Sequence, residues 1–198
     1  MIIKFQKYGN NMSNKSADEI EQYILNINSY NAKAEITINS NKNTNKYLIN
    51  EQYIKQDNIY KKEILEPENI AGTLFIYDGT NLTIKNSKIN LSKIYENYNE
   101  ISSNNLTLRA FIEDYSKSEK KQKYEKDNML ILEVRSENKY NAYKRLYINK
   151  KTGVPAKIEI EDITHKTLIY ILYNEIEINN LQKDDVLAFN LKPIKQDV

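Results

Sequence analysis

The chain has 198 residues, of which 40% are hydrophobic and 28% charged, a composition typical of a globular domain rather than of a disordered chain. Its 29 Lys and Arg residues nearly balance 27 Asp and Glu residues, so the clustered positive charge that nucleic acid requires is not predicted. The absence of Cys excludes disulfides, thiolate metal ligands and a cysteine nucleophile, and no apolar run approaches the roughly 20 residues of a membrane span.

The N-terminal part contains one clear helix signal. The first 15 residues are polar and rich in Asn, and we expect them to be a flexible lead-in to a single domain over residues 16–198. Ser16 and Glu19 have the spacing of a capping box, in which each side chain accepts a hydrogen bond from the other residue's backbone N–H. Apolar residues then recur at helical spacing over residues 20–27. The pattern predicts an amphipathic helix of about three turns.

Most of the remaining chain alternates apolar and polar residues, which indicates half-buried strands. Short turns that contain Gly, such as Asp78-Gly79-Thr80, separate several of these segments. Residues 168–173 are apolar at every position, which predicts a central strand covered on both faces. The predicted strands are 34–38, 47–54, 59–65, 73–77, 81–85, 88–94, 130–134, 143–149, 156–161 and 168–173.

The alternation is interrupted between residues 95 and 126. Leu106, Phe111 and Tyr115 fit a second helix that Asn104 or Asn105 would cap. The charged stretch that follows, at 117–126, is predicted to be a solvated loop or the edge of a hairpin.

This order of segments predicts an α+β fold in which a strongly curved antiparallel sheet, a half-barrel, wraps around a few helices. A half-barrel leaves its outer strands unpaired, so a homodimer that forms through strand edges is a further hypothesis.

The sequence predicts no catalytic residue, metal ligand or cofactor site. His165 is the single His and lies between two predicted strands, where an exposed turn residue is expected. The four Gly residues are too far apart to form a phosphate-binding loop. A hydrolase that uses His165 or a pair of acidic residues is the third hypothesis, after the two binding functions described below.

The apolar positions of the predicted strands form either a packed core or the lining of a cavity that holds an acyl chain. Exposed strand edges and Tyr residues would offer a protein partner a surface instead, although no contact residue is identified. The candidate lining positions are Ile36, Ile38, Leu74, Ile76, Leu130, Leu132, Ile158, Ile160, Leu168 and Tyr170.

Three segments in chain order resemble the LolA-like family of lipoprotein-sorting proteins. Residues 59–63 (IYKKE), followed by Pro67, are similar to a family strand, although Gln56-Asp57 replaces the Lys-Pro turn. Residues 75–82 (FIYDGTNL) resemble an Asp-Gly hairpin of the family. The most specific segment is 146–157 (LYINKKTGVPAK), which resembles its Thr-Gly-x-Pro hairpin. The resemblance implies the half-barrel fold.

Within that family, the Asn-, Lys- and Ile-rich chain with Tyr-rich strands is similar to the GerS group of clostridial germination lipoproteins. The resemblance implies an extracytoplasmic protein, lipid-anchored at the forespore membrane on the cortex side. It also implies a non-enzymatic partner that activates the N-acetylmuramoyl-L-alanine amidase CwlD for muramic-δ-lactam formation and germination. The chain departs from this group because it has no Cys to carry the anchor. The alternative is a lipid or lipoprotein carrier.

Overall fold

The computed structural model describes residues 12–98 and 106–187, and in these residues eleven strands form one antiparallel sheet. The strand order is β6-β5-β4-β3-β2-β1-β11-β10-β9-β8-β7, so every neighbouring pair except β1 and β11 is consecutive in sequence. The sheet is curved and unclosed, which confirms the predicted fold class. The strands are β1 (Ser29–Asn39), β2 (Thr44–Ile54), β3 (Ile59–Glu66), β4 (Leu74–Tyr77), β5 (Leu82–Asn86), β6 (Leu91–Tyr95), β7 (Lys121–Lys126), β8 (Met129–Arg135), β9 (Tyr143–Asn149), β10 (Pro155–Glu161) and β11 (Thr167–Ile178).

Within the same residues three α-helices accompany the sheet: α1 (Ala17–Leu25), α2 (Leu108–Lys117) and α3 (Lys183–Leu187). The predicted capping box is present at α1, because Ser16 Oγ accepts from the Glu19 N–H at 3.2 Å and Glu19 Oε2 accepts from the Ser16 N–H at 2.9 Å. We call the face of the sheet against which α1 and α2 pack the inner face, and the opposite one the outer face. None of the helices in the described residues is long and apolar enough to cross a membrane.

Two local predictions differ from the structure. The predicted strand 88–94 is divided into a 3-10 helix, Ser87–Ile89, and strand β6, because Asn90 adopts a left-handed conformation between them. The cap of α2 is Thr107, whose side chain accepts from the Ala110 N–H at 3.1 Å. The two Asn residues predicted as the cap lie outside the described residues.

Strand β11 is central, as predicted, but only one of its faces is buried. Ile171 and Tyr173 point into the core, whereas Leu168, Tyr170 and Leu172 on the outer face are only partly covered. The prediction of two covered faces was therefore wrong. The apolar residues of the outer face are shielded by long side chains of the same sheet: the Lys157 ammonium lies 5.5 Å from the centre of the Tyr170 ring.

Part of the expected lead-in segment packs on the domain. Met12 is buried, and its N–H donates to the Lys151 carbonyl at 2.8 Å. Gly153 makes this contact possible, because its φ is +67° and a Cβ atom there would lie 2.9 Å from Met12 Cγ. The division of the chain at residue 16 stays a prediction.

An ionic cluster on the outer face joins β8, β9 and β10. Arg145 Nε lies 2.6 Å from Glu133 Oε2, and Arg145 Nη1 lies 2.6 Å from Glu161 Oε1. Arg135 Nε adds a third contact, 2.7 Å from Glu133 Oε1. Burial opposes ionisation of Glu133, but the hydrogen bonds from Arg135 and Arg145 outweigh it and lower the pKa of this carboxyl. The cluster ties three strands together, and its Glu133, Glu161 and Arg145 side chains are shielded from water.

Candidate functional site

The inner face is divided into a filled half and an open half. Over β8, β9 and β10, helices α1 and α2 cover the sheet, and Phe111 of α2 joins the same buried cluster as the strands. Four inner-face side chains of these strands, Leu130, Leu132, Ile158 and Ile160, are at most 1% exposed. In the described residues, these four positions belong to a close-packed core.

Over β1 to β5 the inner face forms an open groove with a volume of about 420 Å³. The volume lies within the usual range for ligand pockets, roughly 300 to 1,000 Å³. Several apolar residues of the groove, including Ile38, Ile64 and Ile84, remain partly exposed even though they pack against the core. The groove is lined by Ile36, Ile38, Tyr47, Ile49, Tyr60, Lys62, Ile64, Phe75, Leu82, Ile84, Tyr98 and Leu106.

A row of Tyr rings crosses this half of the sheet towards its edge. The ring centres of Tyr60 and Tyr77 are 5.4 Å apart, and those of Tyr77 and Tyr98 are 6.4 Å apart. Tyr95 of β6 continues the row, 6.3 Å from Tyr98. At the other end, Arg109 Cζ of α2 lies 5.5 Å from the centre of the Tyr60 ring. Tyr60 and Tyr77 are buried, Tyr98 is half-buried and Tyr95 is exposed, so the end of the row at β6 presents the rigid rings with polar hydroxyl groups that protein-binding surfaces favour.

The groove ends at β6, an edge strand with an apolar surface. All five residues of β6 are exposed, and among them Ile94 is 62% exposed, with Leu91 and Tyr95 beside it. Register places Tyr95 on the same face as Leu82 of the groove and Ile94 on the other face. In the described part of the chain, β5 is the neighbour of β6 on one edge, and no strand forms hydrogen bonds with its other edge. An unpaired edge of this kind is open to strand addition by another chain.

The opposite edge of the sheet has a different chemistry. Strand β7 has the sequence KQKYEK, and Lys123 forms ion pairs with Asp18 and Glu21 of α1. Lys and Glu on an edge strand disfavour pairing with another chain. The two edges of one sheet therefore differ, and β6 is the edge suited to a partner.

The structure places the ten predicted lining residues in three different environments. Ile36 and Ile38 line the groove. Leu130, Leu132, Ile158 and Ile160 belong to the filled half of the core. The remaining four, Leu74, Ile76, Leu168 and Tyr170, lie on the outer face, so their assignment to the inner face is corrected. Their strands are apolar at successive positions, and the inner positions are taken by Phe75, Tyr77, Ile169 and Ile171.

Sequence reasoning did not identify the Tyr row, and it did not separate Ile64, Phe75 and Ile84 from other apolar residues. The alternation of residues along β5 marks Ile84 as inward-facing, whereas Ile64 is followed by Leu65 and the pattern of β3 does not choose between them. Only the position of the helices shows that Ile64 and Ile84 remain open. Tyr95 and Tyr98 lie beyond the last predicted strand of the first half, and nothing in their local pattern indicates a row.

His165 lies at an exposed position on the outer side of the sheet, away from the groove. Its Nδ1 atom is 3.0 Å from Glu161 Oε2, and its ring stacks on Tyr143 with the ring centres 4.2 Å apart. Within residues 12–98 and 106–187, no three His, Asp or Glu side chains are grouped so that they could hold a metal ion.

Comparisons with known proteins identify one matching protein family and several solved structures with a similar fold. The model of the YdcC-like sporulation protein family matches residues 1–187. An uncharacterized conserved protein from Thermus thermophilus is similar over 90% of this chain and 96% of its own, at 16% identity and a TM-score of 0.56, which shows a shared fold. Comparison with curated proteins returned no match.

Two further solved structures are similar at lower TM-scores. One is the structure of the CwlD amidase from Clostridioides difficile in complex with the GerS lipoprotein, with 26% identity, coverage of 83% of this chain and 92% of the other, and a TM-score of 0.49. The other is a LolA-superfamily protein from Nitrosomonas europaea, with 13% identity, coverage of 86% and 97%, and a TM-score of 0.44.

Proposed function

Because the chain belongs to the YdcC-like sporulation protein family, we propose that it acts during sporulation as a non-enzymatic protein that binds and activates a spore-cortex peptidoglycan amidase. The candidate amidase is CwlD, the partner that the resemblance of the chain to the GerS group implies. The proposed location is extracytoplasmic, with the protein lipid-anchored on the cortex side of the forespore membrane.

The observation that carries this proposal is the apolar, unpaired edge at β6. A protein partner that adds a strand there gains main-chain hydrogen bonds with β6. Side chains on one face of the added strand would contact Leu91 and Tyr95, and those on its other face would contact Ile94. Tyr98, which lies beside Tyr95 and lines the groove, extends the same surface towards the groove. Tyr is enriched at the energetic centres of protein interfaces.

The position of His165 supports a non-enzymatic function. A hydrolase that used this His would need it in a cleft that binds substrate. The groove instead lies on the inner face, whereas His165 contacts Glu161 and Tyr143 on the outer side. The groove lining contains Lys62 and otherwise apolar or Tyr side chains.

A substitution in β6 tests the proposal. We expect Ile94→Lys to reduce binding to the purified amidase by at least about tenfold, because a charge would be buried in the contact. The matched control is Ile163→Lys, since Ile163 is also an exposed Ile (59% against 62%) but lies in a distant loop. Binding is measured by isothermal titration calorimetry, and activation by release of peptide from spore-cortex peptidoglycan.

Two results would contradict the proposal. The amidase could have the same activity with and without the wild-type protein, which would exclude activation. Alternatively, Ile94→Lys could convert a dimer into a monomer, seen by analytical ultracentrifugation, while amidase binding is unchanged. The β6 edge would then be the homodimer interface that the sequence suggests.

A lipid or lipoprotein carrier is the second candidate function, and the open apolar groove favours it. This function predicts that the protein binds an acyl chain labelled with a fluorescent group, and that Ile64→Glu reduces this binding by at least about tenfold because a carboxylate enters an apolar site. The matched control, Ile160→Val, changes only the filled half of the core. If the wild-type protein leaves the fluorescence of the probe unchanged, the carrier function is excluded.

A further inference from the structure

A second surface lies at one rim of the sheet. Because the strands are antiparallel, the turns that follow β1, β8 and β10 all lie at the same rim. These turns are residues 40–43, 136–142 and 162–166. Two contacts show that they are neighbours: the Ile163 N–H donates to the Lys139 carbonyl at 3.0 Å, and Asn39 Nδ2 donates to the Thr167 carbonyl at 3.3 Å.

This rim carries large apolar side chains that project into solvent. Tyr140 is 79% exposed and Ile163 is 59% exposed, each in one of the neighbouring turns. Ile89, in the turn between β5 and β6, is exposed at the same rim. At the opposite rim, the described turns carry no large apolar side chain that is exposed to this degree. The exposed apolar residues of the turns are therefore grouped at this rim, while the others, among them Ile94 and Tyr124, lie on the two edge strands.

Hydrogen bonds within the turns hold these side chains outward. Asp162 Oδ1 accepts from the backbone N–H groups of Thr164 at 2.8 Å and Lys166 at 3.0 Å, and this bridges the turn that presents Ile163. Asn138 Oδ1 accepts from the Tyr140 N–H at 3.0 Å in the neighbouring turn. Both apolar side chains are therefore presented by fixed backbone, and no ordering of the turns is needed before they make a contact.

Positive charges surround the two apolar side chains. Lys42, Lys139 and Lys166 are exposed, and none of them forms an ion pair in the described residues. Two acidic residues share these turns: Glu137, whose Oε1 lies 2.7 Å from Lys120 Nζ, and Asp162, which is ionised and accepts the hydrogen bonds of its own turn. Counted with Lys120, the four Lys residues outnumber these two acids, and the rim keeps a net positive charge. We define the rim patch as Tyr140 and Ile163 together with these three Lys residues.

We propose that the rim patch binds the surface of a bilayer that contains anionic lipids. Ile163 enters the boundary of the acyl chains, Tyr140 lies at the level of the headgroups, where Tyr is enriched, and the three Lys residues contact anionic headgroups. Each exposed Lys near an anionic bilayer surface contributes roughly 1 kcal/mol of attraction, and the two projecting apolar side chains add burial at the acyl boundary. The patch and β6 use different residues, so this proposal is independent of the amidase.

The absence of Trp from the sequence allows a direct test. Ile163→Trp places a single Trp at the tip, and we expect its fluorescence to shift to shorter wavelength when vesicles of phosphatidylcholine with about one third phosphatidylglycerol are added. Pure phosphatidylcholine vesicles should cause a much smaller shift, and high salt should reverse it. The matched control is Ile94→Trp on β6, whose fluorescence should not change.

Sedimentation of the full chain with the same vesicles gives the second measurement. We expect Tyr140→Ser combined with Ile163→Ser, and separately Lys139→Gln combined with Lys166→Gln, to lower the partition coefficient by at least about tenfold. The proposal would be overturned if the wild-type protein stayed in the supernatant. It would also be overturned if the double variants bound vesicles as well as the wild-type protein does, or if the wild-type protein bound both vesicle types equally. If the Ser variant loses amidase binding and no chain binds vesicles, the patch is a protein interface and the proposal is wrong.

Discussion

Replacement of Arg145 by Met is expected to lower the free energy of unfolding by about 3–5 kcal/mol, the usual cost of removing one partner from a buried ion cluster. Arg145 contacts Glu133 and Glu161, and both carboxylates are nearly inaccessible to water. After the substitution, Glu161 keeps its contact with His165 but loses the guanidinium, and Glu133 keeps Arg135 and the hydrogen bond that Gln122 Nε2 donates to it. Urea denaturation monitored by far-UV circular dichroism measures the effect.

The destabilisation caused by Arg145→Met should depend on pH and should be smaller at low pH. In the wild-type protein the pKa of Glu133 is lowered, so its stabilising contribution is present above the ordinary carboxyl pKa and is lost as the pH falls through the lowered value. Without Arg145, burial favours the protonated carboxyl and raises its pKa. We therefore expect the stability difference between Arg145→Met and wild type to become smaller as the pH is lowered, which denaturation at several pH values will show.

The control for this prediction is Lys120→Met. Lys120 also forms a short ion pair, with Glu137 at 2.7 Å, but both side chains are largely exposed. Exposed pairs contribute about 0–1 kcal/mol, so this variant should unfold almost like wild type. If the two substitutions cost the same, the outer-face cluster is not a main source of stability.

The second large effect is expected from truncation of the filled half of the core. Ile158→Ala should destabilise the protein by about 2–5 kcal/mol, because Ile158 is 1% exposed and α1 and α2 cannot collapse onto the cavity. The same substitution at Ile84, on the same face but in the open groove, should cost less than about 1 kcal/mol, since the removed atoms are already partly hydrated.

This pair of variants tests whether the inner face has two different halves. Thermal unfolding in a calorimeter and urea denaturation measure both free energies under the same conditions. Equal losses would mean that the groove is packed as tightly as the core in solution, and the carrier function would then have no site. A small loss at Ile84 together with a large loss at Ile158 is the expected result.

The comparison of sequence and structure is clearest at the ends of elements. Ser16 and Glu19 predicted the start of α1, because a capping box is confined to the first turn of a helix and needs no tertiary contact. The hairpin around Gly79 was also predicted, since the left-handed conformation there is favoured by Gly itself. Residues 117–126 contained too many charges for a buried strand, and β7 is indeed an edge.

Side chains were assigned to the correct face of the sheet only in strands where apolar and polar residues alternate. Leu130 and Leu132 on β8 were placed correctly, because Glu133 and Arg135 mark the other face of that strand. Four residues were assigned to the wrong face: Leu74, Ile76, Leu168 and Tyr170. Strands β4 and β11 are apolar at successive positions, so either set of alternate residues could face the core.

The sequence by itself determined the class of fold, since periodicity, caps and turn residues act over a few neighbouring positions and each has a local energetic cost. Only the tertiary structure decided which part of the inner face is core and which is a site. That depends on where α1 and α2 lie over the sheet. No local sequence pattern encodes contacts between elements that are over a hundred residues apart, such as the ion pair between Asp18 of α1 and Lys123 of β7. It likewise decided that β6 is the open apolar edge and that the turns of Tyr140 and Ile163 lie side by side at one rim.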